Sequence, residues 1–308
     1  MPDTLVVNEI YLSLQGESTL AGLPCVFVRL TGCNLRCSYC DSAYAFAQGQ
    51  KRSLADVRAE VLRLAERFEE RRGVPTGRDF SPRGVSRQVG ISLRGECPDR
   101  PGLHSVGLPI ANSPMGSGGE GKEGGRGENW ELGVGNWQGR LPLVEVTGGE
   151  PLLQRRSLAL LRALCEEGLT VLLETSGALA ISPVDPRVRR IMDLKCPSSG
   201  EAGRNRWENL AQLKCTDELK FVIGTREDYE WAREQVAERQ LAGVCPLLFS
   251  WVHPLAPEQQ HPSLKPVPPG QTPLSRRELA ERIIADALPV RLQVQLHKII
   301  WPPEQRGV

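Results

Sequence analysis

The 308-residue chain has almost no excess charge of either sign: 38 Lys and Arg stand against 37 Asp and Glu, a formal charge of +1. That balance excludes the broad basic face by which proteins hold nucleic acid or an anionic membrane surface. Long apolar runs are also missing, and none approaches the roughly 18 to 20 residues that span a bilayer. The opening stretch, MPDTLVVNEIYLSLQGES, lacks the basic and apolar regions of a secretory leader. The expectation is a cytoplasmic protein with no membrane partner and no direct nucleic-acid partner. A paired cysteine framework is absent as well. The nine cysteines are odd in number, and in a reducing compartment clustered thiols point to metal or redox chemistry rather than to staples. What remains, 40% hydrophobic and 24% charged, is the composition of a globular protein long enough to bury a substantial core.

Glycine is distributed unevenly. Seventeen of the 31 glycines fall between Gly73 and Gly139. Such a stretch buries too little apolar surface to offset its ordering entropy, so 73–139 is expected to be a flexible insertion. Regular structure is expected on both sides of it. CVFVRL (Cys25 to Leu30) reads as a strand. SLADVRAEVLRLAERFEERR then reads as a helix, with Ser53 and Asp56 in a capping-box arrangement and Leu54, Val57, Val61, Leu64, Ala65 and Phe68 on one face. After the insertion come LVEVT, a helix over LLQRRSLALLRALCEEG ended by Gly168, then LTVLLE, IMDLK and LKFVIG. A polar helix from Glu227 to about Gln240, a strand in VCPLLFSWV, a helix in SRRELAERIIADAL and a last strand in VRLQVQL complete the reading. Strands alternating with helices predict an α/β fold with a parallel sheet. With about six repeats it is a partial (βα)6-type barrel rather than a closed eightfold one.

In such folds chemistry gathers at the carboxyl ends of strands, and three unusual loops fall there. The first, GCNLRCSYCDS, holds Cys33, Cys37 and Cys40 in C-x3-C-x2-C spacing. A structural zinc site would need a further Cys or His and usually a second pair, whereas Cys165, Cys196, Cys215 and Cys245 are scattered singly and Cys97 lies in the insertion. The other reading is a [4Fe–4S] cluster held by three thiolates, with one iron open to an exogenous ligand. The second loop is TGGEP (Thr147 to Pro151) and the third ETSG (Glu174 to Gly177).

The cysteine motif, with an aromatic residue before its last cysteine, resembles the signature of the radical S-adenosylmethionine (SAM) superfamily. The resemblance implies that SAM chelates the unique iron and is cleaved to a 5′-deoxyadenosyl radical. TGGEP resembles the element that receives the SAM amino group, and ETSG the one that contacts its ribose and carboxylate. Taken with NEIYLSLQGES, DLKCPSSGE and VQLHKIIWP, the chain is similar to the 7-carboxy-7-deazaguanine synthase family over everything except 73–139. That likeness implies a single radical SAM domain over 1–308 and a lyase that converts 6-carboxy-5,6,7,8-tetrahydropterin to 7-carboxy-7-deazaguanine with loss of ammonia, in queuosine biosynthesis. It implies a [4Fe–4S] cluster, SAM and Mg2+ as cofactors, flavodoxin or ferredoxin as electron donor, and a homodimer.

Residue by residue, the resemblance implies Cys33, Cys37 and Cys40 as cluster ligands and Ser42, where the family commonly has Thr, as the Mg2+ ligand. Leu14, Gln15, Gly16, Glu17, Arg29 and Thr147 would meet substrate. Tyr39, in place of a frequent tryptophan, would meet SAM with Cys40, Asp41, Gly149, Glu150, Glu174, Ser176, Lys195 and Ser198. A cation such as Arg29 is what a substrate carboxylate requires in a desolvated pocket. Cys196 reads as a small buried residue and His297 as packing on a terminal strand. Some family members present a C-terminal proline carboxylate near substrate, but here WPP is followed by EQRGV, so that contact is either displaced or absent. A glycyl-radical activase shares the cysteine spacing, and a zinc-stabilised binding module is the alternative outside the superfamily.

Overall fold

In chain order the helices and strands are β1 (Thr4–Leu14), β2 (Pro24–Leu30), β3 (Gln50–Ser53), α1 (Leu54–Glu69), β4 (Leu143–Gly148), α2 (Ser157–Glu166), β5 (Val171–Thr175), β6 (Arg189–Leu194), β7 (Glu218–Ile223), α3 (Arg226–Glu238), β8 (Leu247–Trp251), α4 (Arg276–Ala285), β9 (Arg291–Gln293) and α5 (His297–Ile300). These come from a computed structural model that describes residues 3–69 and 141–308. The described residues all fall in one compact unit. The glycine-rich insertion expected at 73–139 lies outside them.

The strands form one sheet in the order β3-β1-β2-β4-β5-β6-β7-β8-β9. From β2 to β9 every pairing is parallel; β1 runs antiparallel to both β2 and β3. The ends do not pair with each other, so the expected partial barrel is an open one.

Side chains alternate across this sheet with period two. One face carries Val26, Val28, Val144, Val146, Val171 and Leu173, which pack with Val57 and Val61 of α1 and Leu160, Leu161 and Leu164 of α2. Further along, Met192, Leu194, Leu219, Phe221, Leu247 and Phe249 pack with Tyr229 of α3 and Leu279 of α4. The opposite face carries Phe27, Arg29, Glu145, Thr147, Glu174, Asp193, Lys220 and Ser250, all of which border one cavity. The apolar positions thus hold the helices on the sheet, and the alternate positions are left for chemistry.

Local signals account for the helix ends. The amide of Asp56 donates to Ser53 Oγ at 3.0 Å, half of the expected capping box. Full boxes start α3 (Thr225 with Asp228) and α4 (Ser275 with Glu278). The helix expected from Leu152 starts only at Ser157, because Glu150 accepts from the amide of Leu152 and caps a short 3-10 turn over Pro151–Leu153. Gly168, at φ +71°, follows the helix end.

Two expectations change, and one strand pair is new. The run from Val290 to Leu296 is a strand only over Arg291–Gln293, and His297 starts α5 rather than sitting on a strand. Among the described residues no α-helix links β5 to β6 or β6 to β7; short 3-10 turns do part of that work. The N-terminal strand is 11 residues long and gains a second partner in β3, whose sequence QKRS has no apolar alternation to reveal it. No helix among the described residues is long and apolar enough to cross a membrane.

Candidate active site

The carboxyl ends of β2, β4, β5 and β6 open into a cavity of about 230 Å³. Cys33, Cys37 and Cys40 all border it, and all three are free thiols. Burial pushes each thiol up, Cys40 to about 12 with help from the neighbouring Asp41 carboxylate. A cation among them would favour the thiolate form. The three share one cavity without converging on a point: among the described residues no group of three or more His, Cys, Asp or Glu is gathered closely enough for a single metal ion. Three thiols on one cavity are a soft donor set of the kind a cluster takes, one thiolate to each iron.

The TGG turn is pressed against this loop. A Cβ on Gly148, whose φ is +135°, would lie 2.1 Å from the carbonyl oxygen of Leu30. One on Gly149 would lie 2.3 Å from that of Gly32 and 2.7 Å from Cys33 Cβ. Only glycine permits both approaches, and the amide of Glu150 then donates to Gly32 O at 2.9 Å. The two loops are therefore one assembly, and Gly149 borders the cavity.

Glu150 itself turns away from the cavity. It is fully buried and accepts from Thr175 Oγ1 at 3.0 Å, from the Ser176 amide at 2.8 Å and from Ser176 Oγ at 2.5 Å. Its position is that of a clamp which fixes the β5 loop, leaving Ser176 on the cavity wall. Ser198 is likewise set back: its amide and hydroxyl donate to Asp228 at 2.8 and 2.5 Å. Lys195 does border the cavity, with Nζ 2.5 Å from Asp193 Oδ2. Cys196, beside it, is buried in the apolar cluster on the other face of the sheet.

The L-Q-G-E loop forms the facing wall. Gln15 donates to Glu145 and accepts from the Glu17 amide at 2.8 Å. Glu17 bridges Lys220 Nζ (3.0 Å) and Gln295 Nε2 (2.7 Å). The amide of Leu296 donates to Gly16 O at 3.2 Å, so the C-terminal QLHK segment seals this loop from outside. Asp41 joins the same seam. Burial opposes its charge, but Lys298, with help from His297 and Gln295, holds its carboxyl well below the usual range. Leu14, Tyr39 and Ser42 border the cavity, the Ser42 hydroxyl 3.8 Å from Cys40 Sγ.

Beneath lies a buried ionic group that sequence reasoning missed. Lys220 contacts Glu174, Glu17 and, at 3.4 Å, Asp193 Oδ1. Glu174 also accepts from Thr147 Oγ1 at 2.8 Å. Burial would push Glu174 up; the Lys220 ammonium overrides it and draws the carboxyl down to about 2. Glu145 goes the other way, raised well above the ordinary carboxylate value by burial and then by the Glu174 charge. The available signal was a charged residue inside an otherwise apolar strand, in LVEVT and in ELKFVI.

Arg29 stands across from Thr147 in the β2–β4 register. Its Nε lies 2.7 Å from Glu9 Oε1 and its Nη2 donates to the Tyr11 hydroxyl at 2.8 Å, so part of its donor set is already used. The residues after Pro303 also border the cavity, rather than leaving it open.

No protein-family model matches the chain. Its architecture is that of the QueE crystal structure from Escherichia coli, which aligns with a TM-score of 0.53 over 96% of this chain and 95% of that one; at 17% identity the likeness speaks for the fold alone. Sequence relatives say more. The 7-carboxy-7-deazaguanine synthase of Koribacter versatilis (strain Ellin345) is 36% identical, covering 98% of this chain and 99% of that protein. The enzyme of the same name from Chlorobaculum tepidum is 33% identical over 99% and 97%. Likeness of that extent, running through both ends as well as the cysteine loop, leaves one assignment: the chain belongs to the 7-carboxy-7-deazaguanine synthase family.

Proposed function

We propose that this single catalytic domain converts 6-carboxy-5,6,7,8-tetrahydropterin to 7-carboxy-7-deazaguanine with release of ammonia, on the route to queuosine and related deazapurines. The observation that supports it most is the meeting of the three-thiol loop, the TGG turn and the L-Q-G-E loop on one cavity, in a chain of this family. Cys33, Cys37 and Cys40 would hold a [4Fe–4S] cluster whose open iron receives SAM, and together these supply the one-electron chemistry that removes a hydrogen atom from substrate.

The chain's own residues bind and orient. Gly149, Ser176 and Lys195 offer polar contacts for SAM on the cluster side, with Glu150, Ser198 and Asp41 holding the loops that carry them. Tyr39 excludes water from the cluster, and Leu14 lines the substrate side. On the far wall Glu17 and Thr147 present an acceptor and a hydroxyl to the aminopyrimidinone edge, while Glu174 presents an acceptor to SAM. Glu145, whose burial favours the neutral carboxyl, lines the cavity at the same level. The reaction as a whole is redox-neutral, so SAM is regenerated and needs no further oxidant. Ser42 retains the hydroxyl oxygen that Mg2+ favours, with waters and substrate oxygens completing its shell. On the same reading the protein works as a cytoplasmic homodimer and takes its electron from a flavodoxin or ferredoxin.

Anaerobic incubation of the cluster-loaded protein with SAM, Mg2+, a reductant and the carboxytetrahydropterin tests this. Product is expected in excess over SAM consumed. Protein that cleaves SAM while the pterin stays untouched would reject the substrate assignment and leave the superfamily standing.

A further inference from the structure

Arg29 is an incomplete partner for a substrate carboxylate. Glu9 lies 2.7 Å from its Nε, and the Tyr44 hydroxyl donates to the same Glu9 oxygen at 2.9 Å. Glu9 thus cancels the charge that Arg29 brings to the cavity, and an approaching anion meets a pair that is neutral overall. A carboxylate beside this neutral pair gains from a further fixed guanidinium on the same wall, in addition to any contact with Mg2+.

The residues after Pro303 provide one. Arg306 borders the cavity, and its guanidinium carbon sits 3.8 Å from the centroid of the Tyr44 ring. The guanidinium carbon of Arg29 lies 6.0 Å from the centroid of that same ring. Two guanidinium groups therefore share one aromatic platform, itself part of the cavity wall. Arg306 Nη1 donates to Gln48 Oε1 at 3.2 Å, and among the described residues Arg306 has no carboxylate partner. Its Nε and Nη2 are left for a bidentate acceptor. Stacking on Tyr44 holds the planar fork in place and lowers the entropy lost when an anion binds.

We propose that Arg306 is a further substrate-binding residue, which supplies beside Arg29 the second cation that recognises the carboxylate of the pterin. The inference rests on the substrate reading above and adds a residue from the EQRGV segment to it. A residue that merely fastened this segment over the cavity would affect every ligand alike. A carboxylate-binding residue affects only ligands that carry the carboxylate.

The test is a fluorescence titration of the cluster-loaded protein, with SAM present, by 6-carboxypterin and by pterin, which lacks the carboxyl. Arg306 is exposed, so Arg306→Gln leaves the core untouched. The wild-type protein should favour 6-carboxypterin. Arg306→Gln should weaken that ligand about tenfold or more, as loss of a charge-assisted contact does, and shift pterin less than about twofold. Arg306→Lys, which keeps charge without the fork, should fall between. Equal weakening of both ligands, or an unchanged preference in Arg306→Gln, overturns the proposal while the substrate reading survives. A wild-type protein with no preference for the carboxylated ligand overturns both.

Discussion

Replacing Lys220 with methionine removes the one ammonium that three cavity carboxylates share, while keeping most of the side chain's volume. The structure sets the size of the effect in two ways. Lys220 draws Glu174 from its ordinary 4.5 to about 2, and at about 1.4 kcal/mol per tenfold change in proton affinity that is worth about 3 kcal/mol at neutral pH. Independently, breaking a buried ion pair from one side costs about 3 to 5 kcal/mol. Lys220→Met should therefore lose about 3 to 5 kcal/mol of unfolding free energy, a fall in Tm of about 6 to 15 °C for a chain of this size. The sign with pH follows from the direction of the shift. A carboxyl depressed in the folded state stabilises above its unfolded value and loses that contribution as pH falls from 4.5 towards 2. The variant has the opposite problem, since its unpaired carboxylates destabilise at neutral pH and cease to do so once protonated. The gap between wild type and variant should thus be widest near pH 7 and narrow below about pH 4.5. Urea unfolding at pH 7.5 and pH 4.5 measures both, and adding Glu174→Gln should recover at least about 1 kcal/mol. A variant within about 0.5 kcal/mol of wild type, or a gap that widens in acid, would refute the assignment of Lys220 as the centre of this group.

Two further outcomes follow from the same cavity. Glu145→Gln mimics the neutral carboxyl that burial favours, so it should unfold like wild type below about pH 4.5. As pH rises above that, wild type loses about 1.4 kcal/mol per pH unit up to the raised value of Glu145, and the variant, which cannot titrate, gains on it; parallel urea-midpoint profiles between pH 5 and 8 would contradict this. Gly149→Ala places a methyl group 2.3 Å from Gly32 O and 2.7 Å from Cys33 Cβ. The cysteine loop must move, and iron incorporation measured after anaerobic reconstitution should fall by about half or more while the unfolding free energy drops only about 1 to 3 kcal/mol; full iron content would show that the loop tolerates the shift.

Much of the site was legible because its residue types have few other uses. Three thiols at C-x3-C-x2-C spacing sit in one loop, and the two glycines before Glu150 are forced by the close approach of this turn to Leu30 and Gly32. Helix α1 was legible from its apolar spacing and from Ser53 at its start, whereas α3 and α4 were read as helices without the Thr225 and Ser275 boxes that start them. Less accessible was anything defined by a partner distant in sequence. Lys220 looks like one polar residue in an apolar strand until β7 is placed two strands from β5, where Glu174 waits. Glu150 carries the expected motif, yet its carboxylate serves Thr175 and Ser176, a pairing that only the β4–β5 neighbourhood creates. His297 reads as part of a strand because VRLQVQL alternates, and the contact of Leu296 with Gly16 that ends the strand spans nearly the whole chain. The EQRGV segment has no pattern of its own; its place beside Tyr44 comes from packing.

The central claim is that Cys33, Cys37 and Cys40 hold an iron–sulfur cluster with one position reserved for SAM. Electron paramagnetic resonance of the anaerobically purified, dithionite-reduced protein, with iron and zinc measured on the same sample, tests it directly. A [4Fe–4S]+ signal that changes on adding SAM and is lost in Cys37→Ala is expected. One zinc per chain with no iron, or a cluster signal that SAM leaves unmoved, would contradict it.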